Sequence, residues 1–261
     1  MRAVIKLGGS VLVDRSLRLS LIYQLSELQR DGHEIVVVHG GGKQIAEMLN
    51  KLGIESRFHD GLRITDSDTR DVVQMVLAGK IGKDLVADLA RLNVPAVSFA
   101  GGDAMSFMST KLRAEDGTDL GYVGQIARTN PDLINAVLGI KAIPVIACLA
   151  LSAHDNQYHN INGDQMAAAA ASACQADELI FVTDVGGVRD AEGQNITELN
   201  REKMNELLES GVAHGGMRPK LRACLSALDA GVKRILIVGG AEPNALLRVI
   251  RERESLGTAI S

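Results

Sequence analysis

Short apolar runs rich in β-branched residues alternate along almost the whole chain with longer stretches of helical periodicity, and no other feature constrains the fold as tightly. The runs are AVIKL (3–7), EIVVVH (34–39), PAVSF (95–99), AIPVIA (142–147), ELIFVTD (178–184) and RILIVG (234–239). Amphipathic stretches lie between them at about 18–30, 43–52, 66–92, 131–138, 162–175, 200–210 and 218–230. Runs this short and this apolar read as strands buried on both faces, and the helical segments supply the crossovers that parallel strands need. The expected fold is α/β, a three-layer αβα sandwich around a mostly parallel central sheet. Aromatic residues make up 3% of the 261 residues and Trp is absent, so the core is built from Val, Ile, Leu and Ala, as a buried parallel sheet requires.

Three segments break the rhythm and read as inserted β-hairpins. RFHDGLRITD (57–66) turns at Asp60-Gly61, and the long segment from 105 to 130 turns at Asp116-Gly117. CLALSAHDNQYHNIN (148–162) turns around Asp155-Asn156. Hairpins set between helices form rims and lids, where an α/β fold carries its specificity.

The formal net charge of −4, with both signs dispersed, argues against a duplex nucleic-acid binder, which needs a basic stripe. Cys148, Cys174 and Cys224 are far apart, show no ligand spacing and sit in apolar surroundings, so buried reduced thiols are expected, with no metal site. The N-terminus has too short an apolar part for a signal peptide. No run reaches the roughly 18 apolar residues of a membrane span. The expected location is the cytoplasm.

Four glycine sites follow strand-like runs: Gly8-Gly9, Gly40-Gly41-Gly42, Gly186-Gly187 and Gly239-Gly240. Ends of parallel strands meet on one edge of an open sheet, where ligands bind, and glycine lets backbone N–H groups approach phosphate oxygens. Taken singly, each site reads as a tight strand-to-helix turn; four at equivalent places point to a polyanion. No GxxxxGK[ST] occurs, and GGGKQI lacks the third glycine of a dinucleotide fingerprint.

Phosphoryl transfer rests on alignment and charge neutralisation, so cations are expected beside these loops. Lys6 lies inside an apolar first strand, where a lysine is costly unless it emerges at the ligand edge. Lys220 stands just inside a helix entered through Gly215-Gly216; alone it reads as an ordinary solvated lysine. Asn160, Asn162 and Asp164 alternate on an extended segment and are expected to point one way, although Asp164 singly reads as a helix N-cap. Arg63 follows a hairpin turn and suits a carboxylate clamp as well as a solvent-facing role. His39 and His214 lie near glycine loops and receive structural or capping roles, not catalytic ones.

In order and spacing, KLGGS, VVHGGGKQI, DGLRITD, NINGDQMAAAAA, VTDVGGV, GGMRPKL and the closing LGTAI resemble the N-acetylglutamate kinases of the amino acid kinase family, from residue 2 to about 258. The resemblance implies one amino acid kinase domain over 1–261, with an N-terminal lobe (1–150) binding the acyl-amino acid and a C-terminal lobe (151–261) binding ATP. It implies ATP-dependent phosphorylation of the γ-carboxylate of N-acetyl-L-glutamate in arginine biosynthesis, with Mg²⁺ held mainly by the ATP phosphates. By position, Lys6 and Lys220 match the two lysines that stabilise the transferring phosphoryl group, and Asp164 the aspartate that orients both. Gly41, Gly42, Arg63, Asn160 and Asn162 fall on the substrate side. Gly8, Gly9, Thr183, Asp184, Gly187, Gly216 and Met217 fall on the ATP side, and the glycines 8, 9, 41 and 42 match backbone donors to phosphate. A homodimer is implied, and the chain's start at its first strand, without an added N-terminal helix, gives the expectation of no arginine feedback.

This chain departs from the pattern at Gly82, where relatives carry Asn, at Arg218, where an apolar residue is usual, and in the Met- and Ser-rich segment 105–113. These departures bear on substrate identity more than on reaction type. The alternatives are a related carboxylate, carbamate or uridylate kinase, including one acting on a carrier-bound aminoadipate, and a non-catalytic nucleotide-binding regulator. The regulator reading requires the loss of Lys6, Lys220 or Asp164, and all three are present.

Overall fold

The computed structural model describes residues 1–114, 116–213 and 215–261. Eight strands form the main sheet in the order β14 (Glu198–Leu199), β16 (Thr258–Ile260), β15 (Arg234–Gly239), β11 (Glu178–Thr183), β1 (Arg2–Leu7), β2 (Glu34–His39), β8 (Ile143–Ala147) and β5 (Ala96–Phe99). Every pairing is parallel except that of β15 with β16. Each of the six apolar runs is a strand of this sheet. The interior strands β11 and β8 are buried at every residue, because helices pack on both faces and leave no side for water.

One layer of helices includes α1 (Gly9–Val13), α2 (Arg15–Arg30), α5 (Gly82–Ala90) and α10 (Ala245–Ile250), with α2 touching the other three. α7 (Gly163–Ala173) lies across β1, β2 and β11 and packs against α9 (Met217–Asp229). α3 (Gly42–Lys51), α4 (Ser67–Gln74), α6 (Asp132–Gly139) and α8 (Arg201–Glu209) complete the set. The short helices α1 and α10 and the short strands β14 and β16 escaped the sequence reading: two to six residues hold too little periodicity to register.

All three expected hairpins form. β3 (Phe58–His59) and β4 (Leu62–Arg63) pair across Asp60-Gly61, both in the left-handed region that such a turn demands. β6 (Phe107–Lys111) and β7 (Val123–Thr129) pair antiparallel, as do β9 (Leu149–Ser152) and β10 (Tyr158–Ile161). These last four strands close on one another as a small barrel, which the sequence did not announce. A further two-stranded ribbon joins β12 (Val188–Arg189) to β13 (Asn195–Ile196).

The single helix expected over 66–92 is interrupted by a π-helical stretch, Met75–Ile81. Widening the turn there sets Leu77 and Ile81 against Gly41, where an added Cβ would lie 2.8 Å and 2.3 Å from their terminal methyls. Gly82 is buried where α5 begins, and a Cβ there would meet Ser98 Oγ of β5 at 2.3 Å. It serves helix-on-strand packing. Gly82→Asn is therefore expected to lower the unfolding free energy by about 1–3 kcal/mol through overpacking, and Ser98→Gly in the same chain to restore part of it. Urea denaturation of both variants measures this; an Asn variant as stable as the parent would remove the packing account.

Candidate active site

β1 is flanked on both sides, by β11 and β2, so Lys6 emerges from the middle of the sheet at its C-terminal edge. Its register neighbours are Phe181 and Val38, and α7 covers the same face. The stem of Lys6 passes close under Gly163, where a Cβ would lie 3.2 Å from Cε and 3.4 Å from Cys148 Sγ. Any side chain at 163 would displace the lysine, a constraint the sequence reading missed.

Asp164, in the first turn of α7, receives both lysines. Lys6 Nζ lies 2.9 Å from one carboxylate oxygen, and Lys220 Nζ donates to the other at 2.9 Å. Lys220 reaches it from the second turn of α9, and its ammonium also sits 4.9 Å from the Phe181 ring centroid, a cation–π contact. The expectation that Lys220 by itself is solvated is corrected: it is 7% exposed and Asp164 is 6% exposed, because α9 packs directly on α7. Burial pushes the Asp164 carboxyl up, but the two ammonium groups outweigh it and hold the carboxyl below its ordinary range. At Lys220 burial wins over the attraction of Asp164, and Lys6 adds to it, so this ammonium is lowered. Two cations around one anion leave a buried surplus positive charge, which an anionic ligand would complement.

The glycine loops gather at this edge, but not for one reason. Gly8 donates its N–H to Val182 O at 3.0 Å, so its amide continues the sheet and is not a free phosphate donor, correcting that expectation. A Cβ at Gly9 would lie 3.1 Å from Gly42 N, which brings the β1 and β2 loops backbone to backbone. Gly41 is kept bare by Leu77 and Ile81. Gly40 and Gly42 have open space where a Cβ would go, and the N-terminal amides of α3 begin there. On the other side, Thr183 ends β11 with its hydroxyl bonded to both the N–H and the carbonyl of Val185 at 2.9 Å. Asp184 is exposed, and a Cβ at Gly187 would stand 2.7 Å from Thr258 Oγ1. Gly216 and Met217 open α9, one turn before Lys220.

Arg63 is buried rather than solvent-facing. Its Nη2 donates to Gly42 O at 3.0 Å, its Nη1 to Ser56 Oγ, and its guanidinium lies 4.6 Å from the Phe58 centroid. Asn160 Nδ2 donates to Thr65 Oγ1 at 3.2 Å, and Thr65 in turn donates to Arg63 O at 2.8 Å. Thr65, fully buried, thus couples the two, and the sequence reading missed it. The three-residue polar row does not persist: β10 ends at Ile161, and Asn162 turns its side-chain oxygen to the amides of Asp164 and Gln165 as the N-cap of α7. The cap is Asn162, not Asp164, which frees the Asp164 carboxylate for the lysines.

His39 is buried, and its Nδ1 lies 3.2 Å from the Gly40 carbonyl, which can only accept, so Nδ1 carries the proton. Burial pushes this imidazole down to about 4, consistent with a structural role. His214 lies outside the described residues. The three thiols are buried and unpaired; burial pushes Cys148 and Cys224 up to about 12 and Cys174 to about 11. Of the segment 105–113, Phe107, Met108 and Ser109 are buried, and Leu112 lines a cavity beside α7.

The model of the amino acid kinase family matches residues 1–239. The acetylglutamate kinase of Acidobacterium capsulatum is 41% identical over 260 residues, 100% of this chain and 99% of that protein. That of Solibacter usitatus is 42% identical over 258 residues, 99% and 98% of the two chains. Among solved structures, N-acetylglutamate synthase from Neisseria gonorrhoeae, complexed with coenzyme A and N-acetyl-glutamate, superposes at a TM-score of 0.87 with 25% identity, over 100% of this chain and 59% of that one. No helix among the described residues is long and apolar enough to cross a membrane.

The depressed carboxyl of Asp164 gives a signed expectation. Its stabilising contribution is present above the ordinary carboxylate range and is lost as pH falls through the folded value. Asp164→Asn leaves two buried cations uncompensated and is expected to lower the unfolding free energy by about 3–5 kcal/mol at pH 7. The variant also loses part of the acid-side decline that the parent shows. Urea denaturation as a function of pH measures both, and equal stability at pH 7 would remove Asp164 from the support of the site.

Proposed function

The chain belongs to the amino acid kinase family, and we propose that it phosphorylates the γ-carboxylate of N-acetyl-L-glutamate with ATP, forming N-acetylglutamyl 5-phosphate and ADP. The observation that carries this reading is the pair of lysines held on the two oxygens of Asp164 at the ligand edge of the sheet. Whole-length identity to acetylglutamate kinases supports the choice of substrate.

The acceptor carboxylate is already ionised at neutral pH, so the protein has no proton to remove. Its task is to bring two anions together and neutralise charge on the moving phosphoryl group. Lys6 and Lys220 do the second, and Asp164 fixes their spacing. Gly41 and Gly42 line the approach, with the α3 amides directed at negative charge. Arg63, in an N-terminal lobe (1–150), forms the acyl-amino-acid side together with Asn160 and Asn162, which follow that lobe in the chain. Thr183, Asp184, Gly187, Gly216 and Met217, with Gly8 and Gly9, form the ATP side toward the C-terminal lobe (151–261). Both oxygens of Asp164 are engaged by lysines, so Mg²⁺ would be held mainly by the ATP phosphates and would offset their charge. We further propose that the enzyme acts in arginine biosynthesis, in the cytoplasm, as a homodimer; the family resemblance supports this reading.

Hydroxylamine trapping with Mg-ATP and a panel of N-acetylglutamate, glutamate, aspartate, N-acetylaspartate and N-acetyl-α-aminoadipate tests the reaction. Hydroxamate is expected with N-acetylglutamate alone; a preference for another acid would move the substrate, and none with any acid would overturn the kinase reading. Lys6→Ala and Lys220→Ala are each expected to lower kcat by at least about 10²–10³. Arg63→Ala should chiefly raise the KM for the acyl-amino acid. A change confined to the KM for ATP would mean that the two subsites are reversed.

A further inference from the structure

Beside the proposed substrate site, a cavity of about 440 Å³ opens between the β6–β7 hairpin and the paired helices α7 and α9. It begins at Leu62 and Asn162, which adjoin or belong to the substrate-side residues, and it reaches Ser172 and Ala230 in or beyond the last turns of the two helices. At 1.5 Å of rise per residue, the path along α7 from Asn162 to Ser172 is about 15 Å. One wall carries Val123 and Ile126 of β7, and the other carries Ala169 and Ala223, whose small side chains leave it recessed. An acetyl methyl stands one bond beyond its carbonyl and leaves nearly all of this length unfilled. A cleft of this volume and lining is what an apolar ligand segment enters.

We infer that this groove takes the N-acyl chain of the substrate, and that the enzyme accepts N-acylglutamates with linear aliphatic chains of about four to six carbons as well as acetyl. The inference rests on the reading that the acyl-amino acid binds at Arg63, Asn160 and Asn162. The cavity's lining starts next to that site, at Leu62, the neighbour of Arg63, and at Asn162, so a longer chain would keep its carboxylates at the site while its tail lies between β7 and the helices. Leu62, Leu112, Val123, Ile126 and the alanines offer hydrocarbon, while Arg222 and Ser226 line the cavity from exposed positions of α9.

The test is hydroxamate formation by the intact protein from Mg-ATP and N-acetyl-, N-butyryl- or N-hexanoyl-L-glutamate. Each methylene that leaves water raises kcat/KM by up to about fourfold, so the hexanoyl substrate is expected to exceed acetyl by at least about tenfold. Ala169→Phe narrows the groove from α7, and Ser226→Phe narrows it from an exposed position of α9 that tolerates substitution. Either is expected to cut the hexanoyl-to-acetyl ratio at least about tenfold. A parental ratio well below one, or a ratio unmoved in both folded variants, overturns the inference. If none of the three acids is phosphorylated, the transfer reading fails, and thermal protection then decides the groove separately. Greater protection by N-hexanoyl- than by N-acetyl-glutamate upholds it, and equal or no protection rejects it.

Discussion

Two ammonium groups, that of Lys220 buried and that of Lys6 partly exposed, share the two oxygens of one buried carboxylate, and the arrangement of the ligand edge follows from that ion triad. Lys6 comes from the central strand, Asp164 from α7 and Lys220 from α9, so the triad fixes the registration of two helices on the sheet. Such a cluster contributes little net stability, because desolvating three charges offsets most of their attraction. Its consequence is electrostatic instead. One positive charge is left over at the mouth of a low-dielectric layer, beside the N-terminus of α3, and a phosphoryl group in transit is the species that most completes it. Phe181 supports the same geometry from below, offering its ring face to Lys220 while standing next to Lys6 in the sheet.

Glycines around this cluster are bare for different physical reasons. Gly163 makes room for the stem of Lys6, Gly9 for the backbone of the neighbouring loop, and Gly41 for Leu77 and Ile81 of the π-helical stretch. Gly40, Gly42 and Gly216 face open space, whereas at Gly9, Gly41 and Gly163 neighbouring protein atoms, not a ligand, forbid a side chain. The loop is shaped by protein packing on its back, and its front is what remains for phosphate. That ties the π-helical stretch to the site: its extra-wide turn delivers the two apolar side chains that press on Gly41.

Much of this was legible in the chain because it is local. The six strands follow from β-branched runs, the hairpins from Asp-Gly and Asp-Asn turns, and the convergence of glycines and Lys6 from the rule that parallel strands end on one edge. The readings that failed depend on long-range packing. Lys220 read alone is an exposed helical lysine; α7 buries it. Asn162 read as part of an extended row is a helix cap, because the strand ends one residue earlier. Thr65, which joins Asn160 to Arg63, carries no local signal of its own.

By itself the sequence determined the layer order of the fold, the edge at which a ligand binds and the charge types that meet there. Periodicity, turn residues and the placement of a lysine in a central strand are properties of short segments, and short segments state them fully. Tertiary structure alone decided which oxygen of Asp164 each lysine takes, which amides are already used within the sheet, which glycines are kept bare by packing, and that a cavity opens between β7 and the paired helices α7 and α9. Each of these is a distance between residues from different elements, set by how whole side chains fill shared space, and no local stretch of the chain contains it.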